Sequence, residues 1–386
     1  MIVLRSVAVV TVVAAVGLLF TFQRPPVQPV QHGFRGTGMD IIYDPHIVAQ
    51  KVALNQIPAS LPQQPPVGPY AYQVYKNVQV VGNIHVGEFT RLMASMTKWV
   101  SPQQGCGYCH NVKNMASDEK YTKVVARRML QMTRHVNADW QSHVQNVGVT
   151  CWTCHRGQPV PSNIWFNSGP TSQFQGMAET NMGKNRAAAS VGSASLPGDP
   201  FTPYLEHDAS IRIASTSALP SGDRQSIKQA EWTYALMMHF SQSLGVNCTY
   251  CHNSRTFSDW SQSSPQRVNA WYGIRMARDL NNAYLASLNQ VFPDYRHGPM
   301  GDVAKVNCAT CHQGVFKPLY GVSMAKNYPE LLTTDSTHPV LASATVPVPA
   351  TLPPATQAPA TQAQGASGTV PAAAAPPAVV VPAPPK

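Results

Sequence analysis

Four copies of the pattern Cys-x-x-Cys-His constrain this chain more than any other feature. They use all eight cysteines among the 386 residues, and each pair ends in a histidine. In this pattern two thiols bond the edge of a porphyrin as thioethers, and the histidine places an imidazole under the iron. We therefore predict four covalently attached c-type haems. The predicted thioether residues are Cys106, Cys109, Cys151, Cys154, Cys248, Cys251, Cys308 and Cys311. The predicted proximal iron ligands are His110, His155, His252 and His312.

Other uses of paired cysteines explain the pattern less well. A zinc ribbon needs four ligands per metal ion and has no use for a histidine after every pair. Redox-active Cys-x-x-Cys usually occurs once, near a βαβ pattern. Structural disulfides leave the histidines unexplained. Haem attachment accounts for the cysteines and the histidines together.

The charge of the chain does not indicate a nucleic-acid partner. The formal net charge is +10, and charged residues make up 12% of the sequence. Four haems bring up to eight propionates, which would lower the net charge to roughly +2. The basic residues are scattered and form no cluster interleaved with aromatics. We expect no binding of nucleic acid.

An apolar run from Ser6 to Phe22 follows Arg5 near the N-terminus. Residues 2–22 would form a helix of roughly 30 Å, which matches a bilayer core. We expect an uncleaved transmembrane anchor over 1–23, with Arg5 inside and the rest of the chain on the periplasmic face. The alternative is a cleaved signal peptide, but no small-x-small site follows the run. Both alternatives export the chain.

Two further segments lack the pattern of a packed core. Residues 334–386 consist mainly of Pro, Ala, Thr, Val and Gln, and we expect them to form a disordered tail. Residues 24–84 are rich in proline and predict an extended segment with little regular structure.

The four motifs alternate between two kinds. The first and third are followed by Asn111 and Asn253, whereas Gly157 and Gly314 end the second and fourth. The first cysteines are 45 residues apart in the first pair (106 to 151) and 60 in the second (248 to 308). This A-B-A-B order predicts two dihaem halves related by a local pseudo-twofold axis. The expected halves are 85–168 and 223–333, joined by a connector at 169–222.

Helical periodicity precedes the motifs, less clearly the fourth. Apolar residues recur at helical spacing in four stretches, and alternation of the strand type is scarce. The predicted helices are Phe89–Val100, Tyr121–Trp140 with Ser117 or Asp118 as N-cap, Ile227–Leu244, and a helix from Pro265 through Tyr284. We predict a mainly α multihaem cytochrome c with much irregular structure.

Methionines on these helices are candidates for the sixth iron ligand, although a methionine on a helix is more often a packing residue. Met93 lies 13 residues before Cys106, and Met237 lies 11 before Cys248. Their equivalence in the repeat favours them for the first and third haems. Met96 and Met238 are the packing alternatives.

The remaining two haems are less clearly assigned. Met129 suits the second haem, with Met132 as its alternative. For the fourth haem the repeat nominates Met276, since Arg275-Met276 matches Arg128-Met129. His143 competes, because it lies 14 residues after Met129 (129 to 143), close to the same helical stripe. Spacing alone does not choose between them.

Three stretches resemble the tetrahaem cytochrome subunit of purple bacterial photosynthetic reaction centres, within roughly residues 40–335. They are Arg127–Leu130 together with His143, Trp232–Met238, and Pro265–Met276. The resemblance implies His/Met ligation for three haems and two histidines for the fourth, which favours His143 over Met276. The implied sixth ligands are Met93, Met129, Met237 and His143.

The resemblance also implies a role for Arg267. In the family, the matching arginine lies beside the third haem, the one nearest the photo-oxidised chlorophyll pair. A positive charge there disfavours the oxidised haem and raises its potential. Without the family, a surface arginine is an equal alternative. Members with a lipidated N-terminal cysteine differ from this chain, so we expect the helix over 2–22 to replace that anchor.

The resemblance implies an electron relay that makes and breaks no substrate bonds. The expected partners are the L and M subunits with their bacteriochlorophyll special pair, and a soluble donor, either a small cytochrome c or a high-potential iron–sulfur protein. One alternative is a multihaem periplasmic reductase, which needs an iron with an open position. Another is a relay to a non-photosynthetic membrane complex.

Overall fold

The structure, a computed structural model, describes residues 2–22, 27–34, 36–168, 185, 187–213 and 227–334. Its helices are α1 (Ile2–Thr21), α2 (Pro45–Leu54), α3 (Ala71–Val74), α4 (Val86–Val100), α5 (Tyr121–Asp139), α6 (Gln141–Val144), α7 (Cys151–His155), α8 (Ile227–Leu244), α9 (Pro265–Asp279) and α10 (Cys308–His312). Strands β1 (Gln28–His32) and β2 (Met39–Tyr43) form an antiparallel pair. Thr202–Glu206 and Leu280–Leu285 are π-helical. Short 3₁₀ turns lie at Gly105–Tyr108, Gln145–Val147, Ala189–Val191, Cys248–Tyr250, Ala286–Leu288, Asp294–Arg296, Pro318–Gly321, Ala325–Asn327 and Pro329–Leu331. The described part is therefore mainly helical with much irregular structure, as predicted.

The four helices predicted from periodicity are confirmed as α4, α5, α8 and α9. The last continues beyond Asp279 as a π-helix, close to the predicted end. The N-cap predicted for α5 is wrong, because the helix begins at Tyr121 with Lys120 at the cap position. Asp118 instead pairs with Arg127 over 2.9 Å and with Lys123 over 3.1 Å. Its carboxylate therefore faces side chains of the helix and not its first N–H groups.

The N-terminal segment has more regular structure than its prolines predict. Residues 24–84 contain the β1–β2 hairpin and α2, which starts where the carboxylate of Asp44 accepts the N–H of His46 over 2.8 Å. Pro45 occupies the first helical position, where its missing N–H costs nothing. The hairpin is fixed to the third motif, since Thr249 Oγ1 accepts from Met39 N–H and donates to the carbonyl of His32.

The predicted membrane span is not supported by the structure. The expected helix forms as α1. Across the described residues, however, no helix combines the length and the apolarity needed to cross a membrane. Of the other predicted segments, the tail 334–386 lies outside the described residues beyond 334. The connector 169–222 is described at 185 and 187–213.

The buried clusters mix residues from both predicted halves. One combines Leu92 and Trp99 of α4 with Tyr328 and Leu331 near the end of the described chain. In a second cluster, Trp165 packs with residues of α8 and α9. A third packs Met129 against Leu285, Leu288 and Val303. Each half therefore completes the core of the other, and burial of apolar surface stabilises them jointly.

A polar cluster joins α5 to α9. The ring of His135 contacts Asp279 through Nε2 and Asp139 through Nδ1, both over 2.6 Å. Trp140 Nε1 donates to the same carboxylate of Asp279 over 2.9 Å. Hydrogen bonding to Asp279 raises the pKa of His135 above its usual 6.5. The imidazolium form is favoured, because both ring nitrogens then donate to carboxylates.

We predict that His135 makes stability depend on pH. Since its folded pKa lies above 6.5, the stabilisation is full below pH 6.5 and is lost as the pH rises through the folded value. For Asp279, burial opposes the bond to His135 but the net pKa is lowered below 3.8, so its contribution is lost as the pH falls through that folded value. The variant His135→Gln should lower the free energy of unfolding by about 1–2 kcal/mol near pH 5–6.

The measurement is thermal or denaturant unfolding of parent and variant between pH 4 and 9. The difference between them should shrink above neutral pH. His297→Gln is the matched control, because that ring contacts the backbone carbonyl of Asn289. A difference that is constant with pH would contradict the prediction.

Candidate haem sites

The second and fourth motifs each form a single turn of helix with the same cap. The N–H of Thr150 donates to Thr153 Oγ1, and that of Asn307 donates to Thr310 Oγ1, both over 3.0 Å. These bonds satisfy N–H groups at the start of α7 and α10, which otherwise lack partners. Both cysteines and the histidine of each motif therefore lie on one short capped turn.

A glycine after each of these turns anchors a neighbouring helix. The N–H of Gly157 donates to the carbonyl of Trp99 in α4, and that of Gly314 donates to the carbonyl of Ser243 in α8, both over 2.8 Å. Trp99 lies six residues after Met93 (93 to 99), and Ser243 lies six after Met237 (237 to 243). The helices with the equivalent methionines are thus held in the same way by their B motifs.

The first and third motifs share a different anchor. Thr122 Oγ1 donates to the carbonyl of Tyr108, and Ser264 Oγ donates to that of Tyr250, both over 2.6 Å. Both hydroxyls lie 14 residues after their acceptors, at the start of the helix that follows the motif. The A-B-A-B pattern in the sequence therefore appears as two repeated sets of local hydrogen bonds.

Every motif histidine contacts a backbone carbonyl through Nδ1. The acceptors are Met115 for His110 (3.0 Å), Gln158 for His155 (2.8 Å), Phe257 for His252 (2.9 Å) and Val315 for His312 (3.0 Å). The acceptor lies five residues on in the A motifs and three in the B motifs. A carbonyl oxygen only accepts, so Nδ1 carries the proton and the lone pair is on Nε2. This is the arrangement that orients a histidine for metal binding.

Burial favours the neutral form of three motif imidazoles. It lowers the pKa of His155 and of His252, and it lowers that of His312 to about 4. A protonated Nε2 has no lone pair for iron, so a neutral ring is the form that a haem site needs. The burial and the tautomer of these histidines both fit an axial ligand.

His143 has the same features and faces the fourth motif. Its Nδ1 donates to the carbonyl of Asn269 over 3.0 Å. Its ring lies 6.1 Å from that of His312, centroid to centroid, with 66° between the planes. When two imidazoles bind opposite sides of a metal ion through metal–nitrogen bonds of about 2 Å, their ring centroids are about 6 Å apart. The separation of the two ring centroids therefore matches that of two histidine ligands on one iron.

Neighbouring contacts place Met93 near the first motif. The hydroxyl of Thr97 donates to the carbonyl of Met93 over 2.9 Å and lies 3.9 Å from Cys106 Sγ. Residues four apart lie on the same face of a helix. Met93 thus shares with Thr97 the face of α4 that is next to the first motif, while Met93 and Met96 both pack at the edge of the cluster around Leu92 and Trp99.

Met237 and Met238 have different neighbours. A side chain at Gly192 would lie 3.4 Å from Met238 Cε, so Met238 points towards the connector. Met237 packs instead at the edge of the cluster around Leu236 and Ile274. The structure places the two adjacent methionines in different surroundings.

The other methionine candidates are less clearly separated. Met129 packs against Leu285 and Leu288, and the hydroxyl of Thr133 donates to its carbonyl over 2.9 Å. Thr97 donates to Met93 in the same way. Met132 on the next turn and Met276 on α9 are both half-buried.

The second and fourth motifs are in direct contact. Arg156 Nη2 donates to the carbonyl of Cys311 over 3.3 Å, and Gln313 Nε2 donates to that of Cys154 over 3.4 Å. The structure also joins Cys154 to Cys311 in a disulfide, with their Cα atoms 4.5 Å apart. A sulfur in a disulfide is not free to form a thioether, so this pairing and haem attachment are alternative uses of the same two residues.

Arg267 lies beside the third motif. Its guanidinium stacks on Trp260, 4.0 Å from the ring centroid, and donates to Ser263 Oγ over 2.6 Å. Burial raises the pKa of Cys251 to about 11, and the charge of Arg267 opposes that rise. The same charge adds to the lowering of the pKa of His252, which is caused mainly by burial. The charge of Arg267 is thus close enough to have an electrostatic effect on Cys251 and His252 of this motif.

Three groups at the sites were not found from the sequence. Arg156 and Gln313 occupy the same repeat position, directly after the motif histidine, but their side chains are chemically unlike each other. Only that shared position could have identified them. Asn269 acts through its backbone carbonyl, for which the residue type carries no signal.

These features define a class of protein. Cys-x-x-Cys-His motifs whose imidazoles are each held by a backbone carbonyl are typical of a c-type cytochrome. Among the described side chains, no group of three or more His, Cys, Asp or Glu converges as a metal site of the zinc type.

Comparison with known proteins identifies the family. Residues 23–332 match the profile of the photosynthetic reaction centre cytochrome C subunit. The chain is 54% identical to the photosynthetic reaction center cytochrome c subunit of Rubrivivax gelatinosus over 320 residues, which is 83% of this chain and 87% of the relative. It is 49% identical to that of Thermochromatium tepidum (87% and 82% covered) and 39% identical to that of Roseobacter denitrificans (80% and 86% covered). The chain belongs to the family of photosynthetic reaction centre cytochrome c subunits, and is an electron-transfer protein and not an enzyme.

We predict that substitutions of Met237 and Met238 have different effects on the spin state of the haem iron. Met237→Leu should leave one haem five-coordinate, because leucine fills similar space without a sulfur ligand. Met238→Leu is the matched control and should change nothing. The measurement is the high-spin ferric signal in EPR spectra of the purified chain. If both variants remain fully low-spin, Met237 is not an iron ligand.

Proposed function

We propose that this chain carries electrons from a soluble donor through four covalently bound c-type haems to the photo-oxidised bacteriochlorophyll pair of a reaction centre. The observation that carries the proposal is the common orientation of the four motif imidazoles, each with Nε2 left free by a bond from Nδ1 to a carbonyl. Bound haem supplies a one-electron couple at its iron. The chain supplies ligands, a dry surround and fixed charges.

Each haem takes one motif histidine and one further ligand in this proposal. The pairs are His110 with Met93, His155 with Met129, His252 with Met237, and His312 with His143. The facing rings of His143 and His312 support the last pair, and the surroundings of Thr97 and Gly192 support the methionines of the first and third. An iron with two protein ligands has no open position, which argues against the alternative of a multihaem reductase.

The contacts between motifs support a haem order of first, second, fourth and third. Helix α4 packs on both the first motif and α7, which carries the second. Helices α7 and α10 touch, and α8 packs on α10 and leads directly into the third motif. Each haem would then have a near neighbour, as electron transfer through protein requires. The first and third haems would lie at the two ends.

The contacts between the second and fourth motifs support the two dihaem halves, 85–168 and 223–333. The residue after each motif histidine bonds the carbonyl of the last cysteine in the other motif. Such reciprocal contacts are what a twofold axis produces, since equivalent residues exchange places across it. We propose a local pseudo-twofold axis between α7 and α10.

We propose thioether bonds, and not a disulfide, for Cys154 and Cys311 in the mature chain. A disulfide would leave the second and fourth haems with one cysteine each. The Cys-x-x-Cys-His pattern, with its capped turn and fixed histidine, is complete in both motifs. Four haems held by eight cysteines would appear in the mass of the intact chain as four added haem groups. A mass with fewer haems would contradict the assignment.

Exposed apolar residues surround the third motif and fit an interface with the L and M subunits. They are Phe257, Trp260, Val268 and Trp271, which are 39–52% exposed. Aromatic residues of this kind are enriched in the buried centres of protein interfaces. Docking through this face would bring the third haem towards the special pair.

The first motif presents a second exposed apolar face, which we propose for the soluble donor. Val112, Met115 and Tyr295 are 50–77% exposed there. The hydroxyl oxygen of Tyr295 lies 3.5 Å from that of Tyr121, at the start of the helix that follows the motif. A small cytochrome c and a high-potential iron–sulfur protein both remain candidates.

We propose that α1 attaches the chain to the photosynthetic membrane, with the haem-bearing part on the periplasmic face. Its apolar side chains are largely exposed, from Val7 (59%) to Phe22 (68%) just beyond its end. Contact with acyl chains would remove this surface from water.

We predict unequal haem potentials, because methionine raises the potential of a haem relative to a second histidine. A potentiometric titration of the isolated chain should resolve one haem on the order of 0.1 V below the rest, within the ~0.8 V that axial ligands cover. Four equal midpoints would exclude the proposed ligands.

The same titration tests Arg267. Loss of its charge in Arg267→Gln should lower the potential of one haem by roughly 50–100 mV, corresponding to an interaction of about 1–2 kcal/mol. Arg275→Gln is the control, since Arg275 lies on the same helix and also stacks on a tryptophan, Trp271. Equal effects of the two variants would remove the special role of Arg267.

A further inference from the structure

Gly273 occupies a position in α9 that its backbone does not explain. It lies inside Pro265–Asp279, where glycine weakens a helix relative to alanine. Its φ is not in the left-handed region that favours glycine. The space around its Cα is the remaining physical reason for a glycine here.

That space is filled by the ring of His143. A Cβ added to Gly273 would lie 2.6 Å from His143 Cε1, 3.0 Å from Nδ1 and 3.2 Å from Nε2. The shortest of these is closer than real Cβ contacts come. All three atoms belong to a rigid imidazole, so the ring as a whole would have to move.

The ring is also held from the same helix. His143 Nδ1 donates to the carbonyl of Asn269, four residues before Gly273 and one turn earlier in α9. The bond fixes one edge of the imidazole while the bare Cα of Gly273 gives room for the ring beside it. A methyl group at Gly273 would push the ring away from the carbonyl that orients it.

We propose that Gly273 is a positioning residue for the fourth haem, because its missing side chain makes the seat in which His143 is held as sixth ligand opposite His312. This inference rests on the proposed ligand role of His143. With the Asn269 carbonyl, the seat sets the separation of 6.1 Å between the two rings. A side chain at Gly273 would displace Nε2 from the iron without touching the haem attachment itself.

The test is Gly273→Ala in the full chain with its haems. Alanine favours a helix interior, so a general loss of helix stability is not expected. We expect a high-spin ferric EPR signal that grows to as much as one haem in four, with haem content unchanged. Gly17→Ala is the matched control, since Gly17 also lies within a helix and has open space around it. It should remain fully low-spin.

His143→Ala shows what complete loss of the ligand looks like. If His143→Ala becomes high-spin but Gly273→Ala stays low-spin, the seat is refuted and the ligand role stands. If His143→Ala itself stays low-spin, the ligand assignment fails first. If Gly273→Ala does not assemble, the double variant Gly273→Ala/His143→Met supplies a ligand with three rotatable bonds that can pass the methyl group. Low-spin recovery in the double variant supports the seat, and failure to assemble there as well overturns it.

Discussion

The bond from Nδ1 of each motif histidine to a backbone carbonyl is the constraint on which the rest of the structure depends. Four times the bond reaches a carbonyl three or five residues further along the chain, so each imidazole is oriented by its own loop. It sets the tautomer, and burial favours the neutral ring at His155, His252 and His312. Caps and glycine N–H groups hold the second and fourth motifs in place, and hydroxyl anchors hold the first and third. His143 obeys the same rule with a carbonyl from a distant helix.

Much of this local order was predictable because it is encoded over short distances. The motifs, their alternation and helices α4, α5, α8 and α9 follow from patterns of fewer than about 20 residues each. The contact of Cys154 with Cys311 was not predictable, since these residues are 157 apart in sequence. Nor was the seat of His143, which depends on a backbone carbonyl and on the absence of a side chain. The hairpin of β1 and β2 was missed because its two strands show little alternation of apolar and polar residues, so that only their backbone pairing reveals them.

The interleaved cores give the relay its rigidity. Tyr328 and Leu331, from beyond the fourth motif, pack with Leu92 and Trp99 before the first. Residues after the fourth motif therefore support the helix that carries Met93, the proposed sixth ligand of the first haem. The mutual bonds of Arg156 and Gln313 fix the second motif against the fourth at the centre. A rigid chain of cofactors keeps their separations constant, which is what a steeply distance-dependent electron transfer needs.

Flash-induced absorbance change in photosynthetic membranes tests the central claim most directly. Membranes are first washed at alkaline pH, which removes peripheral proteins, so that this chain is tested only where it stays attached to the membrane. The account predicts that a single flash oxidises a c-type haem of this chain as the special pair is re-reduced. It also predicts that His252→Ala, which removes the proposed proximal ligand of the third haem, slows that step. A flash that oxidises the special pair and leaves every haem of the chain reduced would contradict the account.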